Sequence, residues 1–364
     1  MKIITAIVAL LTSFSVTADG WWFSSDKIKD DEQVIFFPSE AYQKPGSQEW
    51  TTGFHGWIFE PESFGEINSI VRKALDIPDD DHNEKNSLLK QRLQWFIVDN
   101  ERGKKLSVKI DKQHFKLNKS TANGHFRGET TLNYSTLKPA TKSDNNTLIK
   151  FTAITSKGDQ RDFSGEIHPI PSKGLSVISD IDDTIKISQV TNKKELIKNT
   201  FMRPFKIAPG MSELYRQWHI NNNAIFHYVS ASPWQLYPPL SSFMNENRFP
   251  KGLFHMKSFR LKDSSFMNLF SDPVEYKMGI IESILKRYPQ RNFILVGDSG
   301  EKDPEVYGMI ARKYPGQIKY ILIRKVGENN NDERFNLAFA ELATDRWQTF
   351  TKTPEIETAQ VLKN

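Results

Sequence analysis

An α/β fold, a doubly wound parallel sheet preceded by a mostly-β, sandwich-like domain, is what this sequence predicts. Three observations predict it. From about residue 171 onward, apolar strand-length runs alternate with segments of helical spacing, the pattern of βαβ units. Residues 19–170 instead carry short alternating runs broken by turn signals, as a sandwich does. Between Val177 and Ser188, V-I-S-D-I-D-D-T-I-K-I-S, an apolar run ends on Asp180 and Asp182. Carboxylates crowded at a strand end repel each other unless a cation or a reaction holds them there, and in open α/β sheets that end is where ligands bind.

The 364 residues exceed one typical core. Hydrophobic residues at 38% and charged residues at 26% describe a folded chain, not a disordered one. A net charge of +5 suits an anionic substrate or membrane surface but is too diffuse to argue for nucleic acid. Lys2, the apolar run Ile3 to Leu11 and the small-residue site Val16-Thr17-Ala18 read as a signal peptide over 1–18. That run is too short to span a bilayer. With no cysteine in the chain, export points to the bacterial periplasm rather than to a disulfide-stapled secreted fold.

In order, Gln33 to Phe37 and Thr52 to Phe59 read as strands, and Ile67 to Leu75 and Ser87 to Val98 as helices. The acidic connector Pro78 to Glu84 lacks calcium-loop spacing. Alternation through Leu106, Val108 and Ile110, then Phe115, Phe126 to Leu132 and Leu148 to Ile154, completes the β-rich domain. Ile167 to Gly174, with its prolines, reads as an interdomain linker. The α/β domain spans 171–330: strands ending at Asp180, at Val229-Ser230 and at Gly297-Asp298, a strand at Leu253 to Phe259 and another at Ile318 to Ile323. Helices lie over Met211 to Ile220, Val274 to Tyr288 and Glu305 to Tyr314. Residues 331–364 read as an amphipathic helix, Asn331 to Ala343, and a loose tail.

Three strand ends thus carry Asp180 and Asp182, Ser230, and Asp298, and a parallel sheet brings them to one edge. Asp303 lies on the glycine-containing loop after Asp298, and Lys277, on the preceding helix, supplies a cation. Carboxylates from two strands form a hard oxygen site suited to Mg²⁺ and substrate phosphate. Asp183 reads as a solvated turn residue. Arg203, Lys257, Arg260 and Lys262 read as solvated positives, and Trp234, Tyr237, Phe266, Met267, Leu269 and Phe270 mostly as core.

These residues resemble the motifs of the haloacid dehalogenase superfamily: D-x-D-x-T at Asp180, Asp182 and Thr184, the strand-end Ser230, Lys277, and G-D-x-x-x-x-D through Asp298 and Asp303. Over about 170–325 the chain resembles more closely the actin-patch-type phosphatidate phosphatase domain, a lipin relative, through S-D-I-D-D-T-I-K, Y-V-S-A-S-P-W-Q-L-Y, E-Y-K-M-G-I-I and V-G-D-S-G-E-K-D-P-E-V-Y. The resemblance implies a haloacid dehalogenase-like Rossmannoid domain and a Mg²⁺-dependent phosphomonoester hydrolase with an aspartyl-phosphate intermediate. Asp180 would be the nucleophile and Asp182 the acid/base, with a raised pKa when it donates. Ser230 (or its neighbour Ser232) and Lys277 would hold the transferring group. Asp180, Asp182 through its backbone carbonyl, Asp298 and Asp303 would hold the metal. The short stretch after Asp180 leaves the cleft open, which favours phosphatidate and transient contact with an anionic phospholipid surface. The alternatives are a broad-specificity periplasmic phosphatase for soluble phosphomonoesters and a phosphatidate-binding module without catalysis.

Overall fold

The computed structural model describes residues 26–44, 47, 49–63, 84–132, 148–258, 274–328, 330–356 and 358–363. The signal segment 1–18, the helix at 67–75, the connector at 78–83, and Arg260, Lys262, Phe266, Met267, Leu269 and Phe270 lie outside the described residues.

Residues with period-two patterning in the first half pair as strands β1 (Gln33–Phe36), β2 (Ser39–Gln43), β3 (Trp50–Pro61), β4 (Val98–Asn100), β5 (Ser107–Ile110), β6 (Gln113–Lys116), β7 (His125–Leu132), β8 (Ile149–Ala153) and β9 (Ser164–Ile170), with helix α1 (Glu84–Leu93) before β4. They form one mixed nine-stranded sheet rather than two separate ones, because β2 pairs with β3 on one side and, in parallel, with β9 on the other. The sheet is folded over on a single core. Phe36 of β1 and Phe54 of β3 meet Phe151 of β8 edge-on, at centroid distances of 4.8 and 5.1 Å. The packing is that of a sandwich although the hydrogen bonding is continuous.

The second half supplies β10 (Lys173–Ser179), β11 (Lys186–Ile187), α2 (Lys193–Phe201), β12 (Lys206–Ile207), α3 (Met211–Asn222), β13 (Ile225–Pro233), α4 (Tyr237–Glu246), β14 (Gly252–Lys257), α5 (Val274–Arg287), β15 (Gln290–Asp298), α6 (Asp303–Lys313), β16 (Ile318–Arg324), α7 (Asp332–Ala338), β17 (Trp347–Phe350) and α8 (Thr358–Lys363). Six strands form a parallel sheet in the order β14-β13-β10-β15-β16-β17. Alternate strand residues feed two cores. Val177, Ile294, Val296 and Leu322 pack with α3 and α4 on one face, and Ile178, Leu295 and Ile321 with α5, α6 and α7 on the other. This α/β architecture puts the ends of β10, β13 and β15 together.

Three expectations need correction. Ile167 to Ile170 is no linker but the end of β9, paired with both β2 and β8. The crossing into β10 is clamped by Arg291, whose Nε donates to Ser176 Oγ at 2.8 Å and whose Nη1 donates to the carbonyls of Pro171 and Lys173 at 2.8 and 2.7 Å. A buried guanidinium with five donors satisfies carbonyls that a turn leaves open. The segment from 331 on is not an appendage with a loose end. Its helix stops at Ala338, β17 pairs in parallel with β16, and Ile356 and Val361 are buried in the core. The helix expected over Ser87 to Val98 ends at Leu93, where three turn residues lead into β4.

Candidate active site

The residues after β10 are held by their neighbours before any chemistry is considered. Asp180 N–H donates to Val296 O at 2.9 Å, extending the β10–β15 ladder by one residue. Ser179 Oγ donates to the Asp180 carbonyl at 2.6 Å and lies 2.8 Å from Tyr215 Oη. Both backbone polar groups of Asp180 are therefore held, independently of its side chain.

Asp180, Asp298 and Asp303 are all buried, and one carboxylate oxygen from each lies within 4.8 Å of the others. Lys277, equally buried on α5, reaches Asp180 Oδ1 at 3.1 Å and Glu301 Oε2 at 3.5 Å, and pairs closely with Asp303 Oδ1. One ammonium thus faces several carboxylates. Asp298 Oδ1 accepts from Gly300 N–H at 2.6 Å and Glu301 N–H at 3.3 Å, while Asp303 Oδ2 accepts from Asp298 N–H at 3.2 Å. Gly297 is required here, since a Cβ would run into the Asp303 carboxyl at 2.2 Å. Asp180 Oδ2 and Asp298 Oδ2 are buried with no hydrogen-bond partner among the described residues. Two orphaned carboxylate oxygens amid excess negative charge are the signature of a site completed by a cation. Burial pushes the Asp180 carboxyl well up, Lys277 opposes the shift, and Asp303, Glu301 and Asp298 add to it. Asp298 is raised by burial and by Asp303 and Glu301. Lys277 stays charged: burial lowers it, but its carboxylate partners outweigh that.

Asp182 faces a different set of groups. Its Oδ1 lies 2.7 Å from Lys186 Nζ and accepts from Ser188 Oγ at 2.6 Å. Its Oδ2 accepts from Ser232 Oγ at 3.1 Å and, at 3.4 Å, from Ser230 Oγ. The expected raised pKa is not what these contacts give. Burial raises the carboxyl, but the Lys186 charge and bonds from Lys186, Ser188 and Ser232 lower it overall. The two motif carboxylates are pushed apart in pKa, with Asp180 the higher. The Asp182 side chain also stands outside the group Asp180, Asp298 and Asp303. Ser230 and Ser232 both converge on Asp182, and both line a small pocket with Asp180, Asp182, Val190, Leu196 and Glu301.

Asp183 is not solvated but buried, with φ 54°. Its carboxylate caps three backbone N–H groups, of Ser188 at 2.8 Å, Gln189 at 3.0 Å and Val190 at 2.7 Å, and Arg324 donates to its carbonyl at 2.6 Å. The left-handed backbone is one that aspartate tolerates. Asp183 therefore shapes the flap, the short segment β11-α2-β12 beside the pocket. Sequence reasoning missed it and Lys186. The available signal was position: a lysine between two isoleucines, four residues after an acid, has little surface to reach. Thr184 is buried as expected of a support. Of the cations weighed earlier, Arg203 is paired with Glu195 at 2.6 Å. Trp234 and Tyr237 belong to the core or its margin.

The fold and this sheet-edge cluster define an α/β domain organised around buried carboxylates and one buried lysine. Residues 175–325 match the family described as "Phosphatidate phosphatase APP1, catalytic domain", so this segment of the chain is similar to that domain. It is 35% identical over 162 residues to "Phosphatidate phosphatase APP1" of Saccharomyces cerevisiae, covering 44% of this chain and 27% of that protein. An uncharacterized protein of Schizosaccharomyces pombe is 31% identical over 169 residues, 45% of this chain and 27% of that one. The chain thus spans about a quarter of the length of either relative. A solved carbohydrate esterase structure aligns over 85% of this chain and 96% of its own at 12% identity, with a TM-score of 0.22, too weak a likeness to bear on the fold. Among the described residues no helix is long and apolar enough to cross a membrane.

Proposed function

We propose that this chain hydrolyses phosphomonoesters with Mg²⁺, phosphatidate being the substrate, through a haloacid dehalogenase-type site. The observation that carries the proposal is Asp180: a buried carboxylate at a strand end, one oxygen paired with Lys277 and the other unpartnered, beside Asp298 and Asp303. The match to the phosphatidate phosphatase family supports the substrate.

Asp180 attacks phosphorus, forming a P–O bond to its carboxylate as the bond to the alcohol oxygen breaks. Asp182, which must first take up a proton against the lowering by Lys186, gives it to the departing oxygen, releasing diacylglycerol. A water then attacks the aspartyl phosphate, gives its proton to Asp182, and phosphate leaves with Asp180 restored. Lys277 and the Ser230 and Ser232 hydroxyls orient and neutralise the transferring group. The residues present fit a hard divalent cation: Asp180, Asp298 and Asp303 would hold it, and the Asp182 carbonyl is a further candidate. Bound there, it would offset the negative charge of the phosphoryl oxygens.

Phosphate and diacylglycerol release from phosphatidate in mixed micelles, with and without Mg²⁺, tests the reading. Wild type is expected to turn over and Asp180→Asn to fall to background. Equal slow release by both would make the protein a binder. Cleavage of p-nitrophenyl phosphate without cleavage of phosphatidate would keep the enzyme class and remove the lipid.

A further inference from the structure

A second groove, of about 420 Å³, lies where the nine-stranded sheet meets β14 and α5, separate from the small pocket over Asp180. Its size is that of sites that enclose small ligands. Its lining includes the apolar Leu253, Phe254, Met256 and Trp234, here termed its floor, and the polar His55, Arg127 and His255. The lining holds two acids and two arginines, but neither acid pairs with Arg127. Glu40, one of two acids in the lining, is paired with Arg287 and accepts from Tyr288 Oη. Glu129, the other, is paired with Lys44 at 3.0 Å. Arg127 is exposed and has no acidic partner among the described residues. The histidines stay neutral and do not compete with it for an anion: burial keeps His55 well below its usual range, and His255, whose Nε2 lies 3.4 Å from His227 Nδ1, is lowered to about 4. His55 is itself fixed by a 2.9 Å bond between its Nε2 and His125 Nδ1. A guanidinium without an acidic partner, in one groove with neutral imidazoles and apolar side chains, matches a phosphate group that carries an acyl chain.

We propose that this groove is an accessory site for an anionic phospholipid, with Arg127 meeting the phosphate and the floor of Trp234, Phe254 and Met256 taking the chain. Two links place it beside the catalytic pocket. Trp234 follows Ser232 by two residues, and Arg127 lies close enough to Tyr276, which precedes Lys277, to bear on its ionisation. A lipid held here would keep the catalytic pocket at the membrane surface between turnovers. The claim stands on the groove's own residues, independent of the chemistry at Asp180.

The test uses a lipid that a phosphomonoester hydrolase does not cleave. Binding of the full chain to monomeric dihexanoyl phosphatidylglycerol is measured by calorimetry, against dihexanoyl phosphatidylcholine and inorganic phosphate. Phosphatidylglycerol should bind about tenfold or more tighter than phosphatidylcholine, with Arg127→Gln removing that preference and Asp180→Asn keeping it. Arg127→Lys should recover part of it. If Arg127→Gln melts below wild type, Arg127→Lys and His255→Gln carry the comparison in its place. Undiminished binding to Arg127→Gln, no preference over phosphatidylcholine, or loss in Asp180→Asn alone would overturn the proposal. Inorganic phosphate bound as tightly and through Arg127 would make this a free-phosphate site and remove the lipid.

Discussion

Replacing Lys277 by methionine tests the buried charge cluster most directly. The side-chain volume is nearly conserved, so the change removes charge rather than packing. Lys277 Nζ lies 3.1 Å from Asp180 and 3.5 Å from Glu301 and pairs with Asp303. At 3.1 Å and an effective dielectric constant near 20, one such pair amounts to ~5 kcal/mol of gross attraction. Most of that offsets desolvation, and removing one partner of a buried pair costs about 3–5 kcal/mol net. In EDTA, urea unfolding should therefore show Lys277→Met destabilised by about that amount. A divalent cation at a hundredfold excess over its Kd adds ~2.7 kcal/mol to whatever folded state binds it. The variant, with one positive charge fewer among the same carboxylates, should bind the cation more tightly and recover more than wild type gains. Phosphate release should still be lost, because the variant cannot orient the phosphoryl group. A loss under 1 kcal/mol in EDTA, or an identical gain from Mg²⁺ in both proteins, would refute the picture of one lysine holding a cation site together.

Lys186→Gln removes the charge 2.7 Å from Asp182 and leaves burial to raise that carboxyl, so the proton-donating form should persist to higher pH. The pH profile of phosphate release should shift upward, and an unmoved profile would count against Asp182 as the proton donor. Asp183→Ala strips the cap from three backbone N–H groups and should cost about 2–3 kcal/mol in urea unfolding. Near-wild-type stability would mean water replaces the carboxylate freely. Buried histidines set the acid limit: burial lowers His168 and His255 to about 4 and His125 to about 3. The unfolded chain takes up these protons near pH 6.5 and the folded chain does not, so stability is full above 6.5 and drains toward pH 4. By pH 4 the His168 and His255 rings would each have cost about 3 kcal/mol, order of magnitude, and His125 titrates lower still. Unfolding free energies at pH 7 and pH 5 check this, and His168→Gln should shrink the difference by one ring's share.

The strand-end residues were legible in sequence because a buried carboxylate after an apolar run has no packing reason to exist. Asp180, Asp298 and Asp303 gather as that reasoning requires, and Lys277 joins them. Residues whose roles depend on local turns were not legible. Asp183 looks like any loop acid until Ser188, Gln189 and Val190 curl back over it, and no spacing rule announces that curl. Lys186 was hidden for the same reason, and with it the reversal of the expected pKa order. Long-range strand pairing was equally invisible. Ile167 to Ile170 carries two prolines nearby, a linker signal, yet β9 tolerates Pro169 because its ladder partners are set by β2, some 130 residues earlier in the chain. The four residues Trp347–Phe350 are too short to read as a strand alone and become one against β16.

The first half also reaches the site physically, although the family match begins only at residue 175. Phe37 and His55 pack on Trp234 at centroid distances of 4.2 and 4.7 Å, just after the serine pair. Arg92 of α1 donates to Thr200 O at 2.7 Å and lies 3.7 Å from the Phe205 ring centroid, steadying the flap from the opposite side. Lys186 lies over the same Phe205 ring, so Arg92 and the ammonium that sets Asp182 share one aromatic support. Two parts of the pocket outside the carboxylate cluster, the 230–234 loop and the flap, are thus held by residues that precede the matched segment. The β10–β15 ladder and Lys277 hold the carboxylates from inside it. What the parallel sheet supplies is the charge cluster, and what the N-terminal sheet supplies is the placement of the groups that face it.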